Sequence, residues 1–114
     1  AIIQDANIEE SAVNIPNNGY IEHLPNNVVV EVPAIINGEG VKGIKLKDYP
    51  SDFSSLLLNQ VSVMKLTAEA ILEKSKNKAL NALLADPVVD NAVQAKKMLD
   101  NMIKIQEKHI GYLK

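Results

Sequence analysis

The rhythm of apolar and polar residues changes once along this chain. Over residues 12–47 the apolar positions alternate or form short runs broken by Asn, Gly and Pro. Over residues 51–113 they recur at three- and four-residue steps, with no glycine before Gly111. The first pattern predicts strands and turns, the second helices. Sheet first and helices afterwards is the order of an α+β protein: antiparallel strands with a hairpin, followed by three helices.

In the strand half, Val13 and Ile15 precede a turn over Pro16–Gly19. Gly19 tolerates positive φ, Asn17 or Asn18 can enter the left-handed region, and Pro16 and Pro25 fix φ while removing a ladder donor. Along Val28–Val32, residues Val28, Val30 and Val32 share one face and Val29 and Glu31 the other. Ile35 and Ile36 on one side of Asn37-Gly38, and Val41 beyond it, predict a hairpin whose return strand is Val41–Leu46.

In the helical half, Pro50 and Ser51 are start signals, with Asp52 placed to complement the positive helix end. A helix over 51–74 is expected to bury Leu57, Val61, Met64, Ala68 and Ile71 as one stripe. A second, short helix over Ala79–Ala85 should end at Asp86-Pro87, because a residue before proline is pushed out of the helical region. Ser75–Lys78 reads as a polar break between the two. The third helix should begin near Asp90 or Asn91 and run to about residue 110. Its stripe is Ala92, Ala95, Leu99 and Met102, broadened by Met98 and Ile105, with Lys96, Lys97, Lys104 and Lys108 mainly outward. Such stripes belong to a core or a subunit interface far more often than to a ligand site.

The 114 residues suit a single domain, 1–114, with nearly half of them apolar. Net charge is −2 and all twelve basic residues are lysine, so the arginine contacts favoured for phosphates and base edges are missing and nucleic acid is not an expected partner. The absence of cysteine excludes a disulfide framework, a Cys-based zinc site and a cysteine nucleophile within these residues. No apolar run approaches the roughly 18 residues that cross a bilayer. The start, Ala1-Ile2-Ile3-Gln4-Asp5, lacks the basic and long apolar regions of a signal peptide and suits an internal fragment that enters at the end of a helix.

Several motifs, in order and at compatible spacing, carry a resemblance. Asn14-Ile15-Pro16-Asn17-Asn18-Gly19-Tyr20-Ile21-Glu22-His23-Leu24-Pro25 is followed by Val28-Val29-Val30-Glu31-Val32-Pro33-Ala34. Then come Leu57-Leu58-Asn59-Gln60-Val61, Leu66-Thr67-Ala68-Glu69-Ala70 and Ala79-Leu80-Asn81-Ala82-Leu83-Leu84-Ala85-Asp86-Pro87. Over about residues 12–105 the chain resembles the C-terminal region of glycoside hydrolase family 4, the NAD- and divalent-metal-dependent glycosidases. The resemblance implies a two-part cytoplasmic enzyme: an N-terminal Rossmann portion, missing here, and a C-terminal domain like that of lactate and malate dehydrogenases, of which this chain is part. It further implies a glycoside substrate, NAD and a divalent metal, commonly manganese, and a homo-oligomer. Enzymes of this family oxidise the sugar at C3 and eliminate across C1–C2, departing from the two-carboxylate scheme. Asn14-Ile15-Pro16-Asn17 looks closer to the α-glucosidase and α-galactosidase-like branch than to the 6-phosphoglycosidases.

The family's metal-binding Cys and His and its catalytic Tyr lie upstream of the motif at Asn14, so none transfers and this chain alone is expected to be catalytically silent. Gly38, Gly40 and Gly43 match Gly-x-Gly-x-x-Gly by spacing, but they lie in the predicted hairpin and no helix follows them. Asn17, Asn18 and Gly19 are the candidates for lining a substrate cleft, since tight polar loops present backbone groups to ligands, although the same residues suit a structural turn. His23 reads as a loop residue, His109 as a helix-end dipole partner, Tyr112 as a terminal anchor, Glu31 as an exposed strand charge and Asp86 as a pre-proline cap. Two other readings compete with the glycosidase fragment: a stand-alone homo-oligomeric interaction module, and an unrelated small enzyme using Glu31 or His23.

Overall fold

The computed structural model describes residues 1–114. Strands β1 (Ile8–Pro16), β2 (Val29–Asn37) and β3 (Gly40–Gly43) precede helices α1 (Ser51–Leu72), α2 (Lys76–Ala85), α3 (Ala92–Ile105) and α4 (Glu107–Ile110). The chain divides into two compact units, Ala1–Leu57 and Leu58–Lys114.

The first unit holds an antiparallel sheet in the order β1-β2-β3. Val30, Val32 and Ala34 of β2 are buried while Val29 and Glu31 are exposed, as the alternation predicts. Pro33 stands in the middle of this central strand, where its missing N–H would leave a gap in the ladder. The register shift in β1 between Glu10 and Val13 lies opposite it: three steps on β1 face two on β2, a bulge that places the irregularity where proline has no donor. Pro33 still accepts through its carbonyl, from Ile44 N–H at 2.7 Å. The bulge also changes parity, so that Ile8 and Glu10 pair with Ile36 and Ala34. The stretch Ile8–Ser11 is strand, which its two glutamates concealed in the sequence. Before it, Ala6 N–H donates to Ala1 C=O, Asp5 N–H to Ile2 C=O, and Asp5 takes φ 47°, the pattern that closes a helix C-terminus.

The hairpin forms at Asn37-Gly38, with Asn37 opposite Gly40. Its positive φ of 117° falls on Gly40 and on neither Gly38 nor Glu39, so the two-residue turn is not of the primed type and a positive-φ glycine follows it. The return strand is shorter than the Val41–Leu46 expected. It ends at Gly43 because Leu46 N–H turns away to Tyr20 C=O, 2.9 Å, and Leu46 packs on Ile21, Leu24, Val30 and Val32.

In the second unit α2 packs on α3, with Ala70, Ala82, Ala95 and Leu99 buried. Helix α1 ends with Lys74 at φ 54°, Lys74 N–H on Ile71 C=O and Ser75 N–H on Ala70 C=O. Ser75 is the N-cap of α2, its hydroxyl accepting from Lys78 N–H, so α2 begins at Lys76 and not at Ala79. Asp86 caps the other end in extended conformation before Pro87, and Asn91 caps α3 by accepting from Gln94 N–H, both as expected. The third predicted helix breaks at Gln106, which adds α4.

The stripe expected to be buried on α1 is not. Met64 is 62% and Ile71 53% exposed, Leu57 and Ala68 are also exposed and Val61 alone of the stripe is half-buried, while Ser54 and Ala70 are buried and Val63 and Leu66 half-buried. The helix is apolar on nearly every side, so period alone does not choose the inward face.

Candidate functional site

The segment between β1 and β2 is folded around one side chain. Asn17 is fully buried, and each of its polar groups is engaged. Its N–H donates to Val28 C=O at 2.8 Å and its C=O accepts from Tyr20 N–H at 2.8 Å. Its Oδ1 accepts from Ile21 N–H at 2.7 Å, while Nδ2 donates to Ile21 C=O and Leu24 C=O at 3.0 Å and reaches Pro25 C=O at 3.3 Å. A loop this tight buries backbone groups that no ladder serves, and an Asn amide supplies both the acceptor and the donors they need.

With the backbone satisfied, Ile21 and Leu24 join Val30 and Val32 in the core, flanked by Ile15, Tyr20, Val28, Leu46 and Tyr49. Tyr20 lies over Gly43, where an added Cβ would stand 2.7 Å from its ring and from Ile15 Cδ1. Ser54, 1% exposed, donates from Oγ to Glu22 C=O at 3.1 Å. Nothing in the periodicity marks Ser54 or Tyr20, and Ser54 is one of four serines on α1 that the sequence does not tell apart.

Of the three cleft candidates, Asn17 is therefore turned inward and occupied, and Asn18 and Gly19 are exposed, at φ 44° and 84°. His23 is exposed too, at φ 68°. Its neighbour Glu22 pairs with Lys45 Nζ at 2.7 Å, and the hydrogen bond from Lys45, with its charge, holds the Glu22 carboxyl below its usual range. Glu31 is exposed on β2. In the second unit Asp86 Oδ1 accepts from Val88 N–H at 3.1 Å, the local role of a cap. His109 lies in α4 and Tyr112 is half-buried beyond it.

Six charged groups of the second unit, Glu69, Glu73, Lys76, Lys78, Lys96 and Asp100, pair among themselves. Lys78 Nζ reaches Glu69 at 2.7 Å and Glu73 at 2.6 Å, which lowers the Glu69 carboxyl and raises the Lys78 ammonium. Lys76 lies 2.6 Å from Asp100 and lowers its carboxyl. A largely apolar groove of about 490 Å³ lies among Ala70, Ala82, Leu83, Met98, Leu99 and Met102. No three His, Asp or Glu side chains come together as a metal site. Gly38, Gly40 and Gly43 stand in and beside the hairpin with no helix opening after them, so these residues do not fit a dinucleotide cradle.

Residues 1–89 match the family described as "Family 4 glycosyl hydrolase C-terminal domain". An α-glucosidase of Erwinia rhapontici is 44% identical over 113 residues, covering 99% of this chain and 25% of that protein. A maltose-6'-phosphate glucosidase of Clostridium acetobutylicum is 34% identical over 99 residues, covering 87% of this chain and 22% of its own length. Among solved structures, a 6-phospho-α-glucosidase from gut microorganisms in complex with NAD and glucose-6-phosphate superposes with TM-score 0.80 at 32% identity, over 99% of this chain and 25% of that one. The 6-phospho-β-glucosidase of Thermotoga maritima, solved with manganese, NAD⁺ and glucose-6-phosphate, gives 0.82 at 29% identity, over 99% and 28%. The chain thus spans about a quarter of the length of these relatives.

Proposed function

Since this chain belongs to glycosyl hydrolase family 4 and matches its C-terminal domain, we propose that it works as the scaffold of the substrate domain in a cytoplasmic O-glycosidase. Its parent would hold NAD and manganese through residues of a Rossmann portion outside this chain and cleave by oxidation and elimination. The hairpin glycines do not fit a dinucleotide cradle, and this reading assigns no catalytic step to the residues present here. The α-glucosidase identity favours a free α-glucoside over a phosphorylated sugar, with the α-galactosidase-like activity as the neighbouring alternative.

The observation that carries this reading is the apolar stripe of α1 left open in the chain by itself: Met64, Ile71 and, beyond them, Leu72 at 81% exposure. Such a surface asks for a cover. We take the cover to be the remainder of the same enzyme and its subunit partner, with 1–114 acting as one domain there; a free-standing homo-oligomeric module would instead cover it with copies of itself. The test compares the intact protein with the 114-residue chain on nitrophenyl α-glycosides. Turnover by the intact protein that needs both NAD and manganese, with none from the chain alone, is expected. Turnover by the chain alone, or by the intact protein stripped of both, would overturn the proposal.

A further inference from the structure

The chain contains two Asn-Gly pairs, Asn18-Gly19 and Asn37-Gly38, and the fold treats them oppositely. We propose that Asn18 is a site of spontaneous deamidation through a succinimide, while Asn37 is protected by the hairpin. In this reaction the backbone nitrogen of the following residue bonds to the Asn Cγ. The Cγ–Nδ2 bond breaks and ammonia leaves, carrying the proton that the backbone nitrogen gives up. Water then adds to either carbonyl of the ring and opens it to aspartate or isoaspartate, with no change of oxidation state. The step needs an unengaged backbone N–H, an Asn side chain free to turn, and no Cβ on the next residue to obstruct ring closure.

Asn18-Gly19 offers all three. Both residues are exposed, Gly19 N–H has no backbone acceptor, and the Asn18 side-chain amide makes no hydrogen bond within the chain, only its backbone N–H being held, by Asn26 C=O at 3.2 Å. The space where a Cβ of Gly19 would stand is open. At Asn37-Gly38 the nucleophile is occupied, Gly38 N–H donating to Asp5 Oδ1 at 2.8 Å. The Asn37 side chain is held at both ends: Nδ2 donates to Asn7 Oδ1 at 2.9 Å and Oδ1 accepts from Glu39 N–H at 3.0 Å. Asp5 also lies 2.7 Å from the position of a Gly38 Cβ, so that side of the pair is filled. An isoaspartate at 18 would lengthen the main chain by one methylene between Asn17, whose amide organises the loop, and Tyr20, which roofs Gly43.

The experiment incubates the intact folded protein in mildly alkaline heavy-oxygen water, then digests it in acid with a Glu-specific protease. That yields Ser11–Glu22 and Val32–Glu39 as separate peptides, in which fragmentation assigns the label. Asn18 should label roughly ten-fold or more faster than Asn37, since releasing Gly38 N–H and the Asn37 amide breaks hydrogen bonds that each carry a factor of several. In strong denaturant the two rates should converge, and Asp5→Ala in the folded protein should raise the Asn37 rate alone. Equal rates in the folded protein, label at Asn14 or Asn17 in place of Asn18, or a difference that persists in denaturant would overturn the proposal.

Discussion

Replacing Asn17 by alanine would remove the centre of the loop between β1 and β2, and the structure states what is left behind. Ile21 N–H loses its acceptor, and the carbonyls of Ile21 and Leu24 lose their donor, all inside the first unit's core. A buried backbone group without a partner costs about 1–3 kcal/mol. Three such groups, with partial relief as water enters the vacated space, place the loss at about 3–5 kcal/mol, a large part of the ~5–15 kcal/mol available to a domain. The loop should therefore open before the sheet does. The assay is native-state hydrogen exchange in the intact protein, read at Ile21, whose amide should lose roughly a hundred-fold or more of its protection. Asn14→Ala, at an exposed strand position, is the control. If Ile21 kept the same protection in both variants, the account of Asn17 as the loop's organiser would be wrong. Asn17→Asp adds a sign. It keeps the acceptor for Ile21 N–H but turns a second oxygen toward carbonyls, so burial and repulsion raise the folded-state pKa above the unfolded ~3.9. A raised acid is stabilised in its protonated form, so this variant should be most stable below the unfolded pKa and weaken as pH rises through the folded one. Loss of stability toward acid would contradict this.

Three further outcomes rest on separate features. Lys74→Gly should raise stability by about 1 kcal/mol, because Lys74 closes α1 at φ 54°, where glycine has no Cβ to strain; a lower thermal midpoint would count against that geometry. Gly43→Ala should cost about 1–3 kcal/mol, since its Cβ would press on Ile15 and on the Tyr20 ring, and pairing it with Tyr20→Leu should recover part of the loss in a double-mutant cycle. The lowered Glu22 carboxyl makes its pair with Lys45 a contribution present above the unfolded glutamate pKa and lost as pH falls through the folded one. Carboxyl NMR should follow that titration to below the usual range, and Lys45→Met should return it upward.

The parts of the fold that rest on local chemistry were readable in advance. Asp86 before Pro87 and Asn91 before α3 act through their own backbone neighbours, and β2 alternates because one of its faces meets the core. The parts that rest on distant partners were not. Ile8–Ser11 reads as a charged segment, and it is strand because β2 lies beside it; the bulge depends on Pro33 across the sheet. Ser75 reads as part of a polar break because a serine marks a cap only once a helix is known to follow it within the turn. At the candidate site the turn residues were visible and the burial of Asn17 was not, since a sequence displays the amide but not the three carbonyls converging on it.

Helix α1 shows why a periodicity can be real and still be misassigned. Its stripe of Leu57, Val61, Met64, Ala68 and Ile71 is a genuine apolar face, yet only Val61 of it is half-buried, while Ser54 and Ala70 are buried and Val63 and Leu66 half-buried. Two apolar faces on one helix imply two covers, because a face left in water gains nothing from burial. The chain supplies one of them; under the proposed function the rest of the enzyme supplies the other. In the intact protein, Met64→Asp should then shift sedimentation or the KM and kcat of glycoside turnover, whereas Lys65→Asp, one position along on an exposed polar site, should leave both unchanged. If both substitutions were silent, the open face of α1 would have no partner, and the assignment of this helix to an interface would fall.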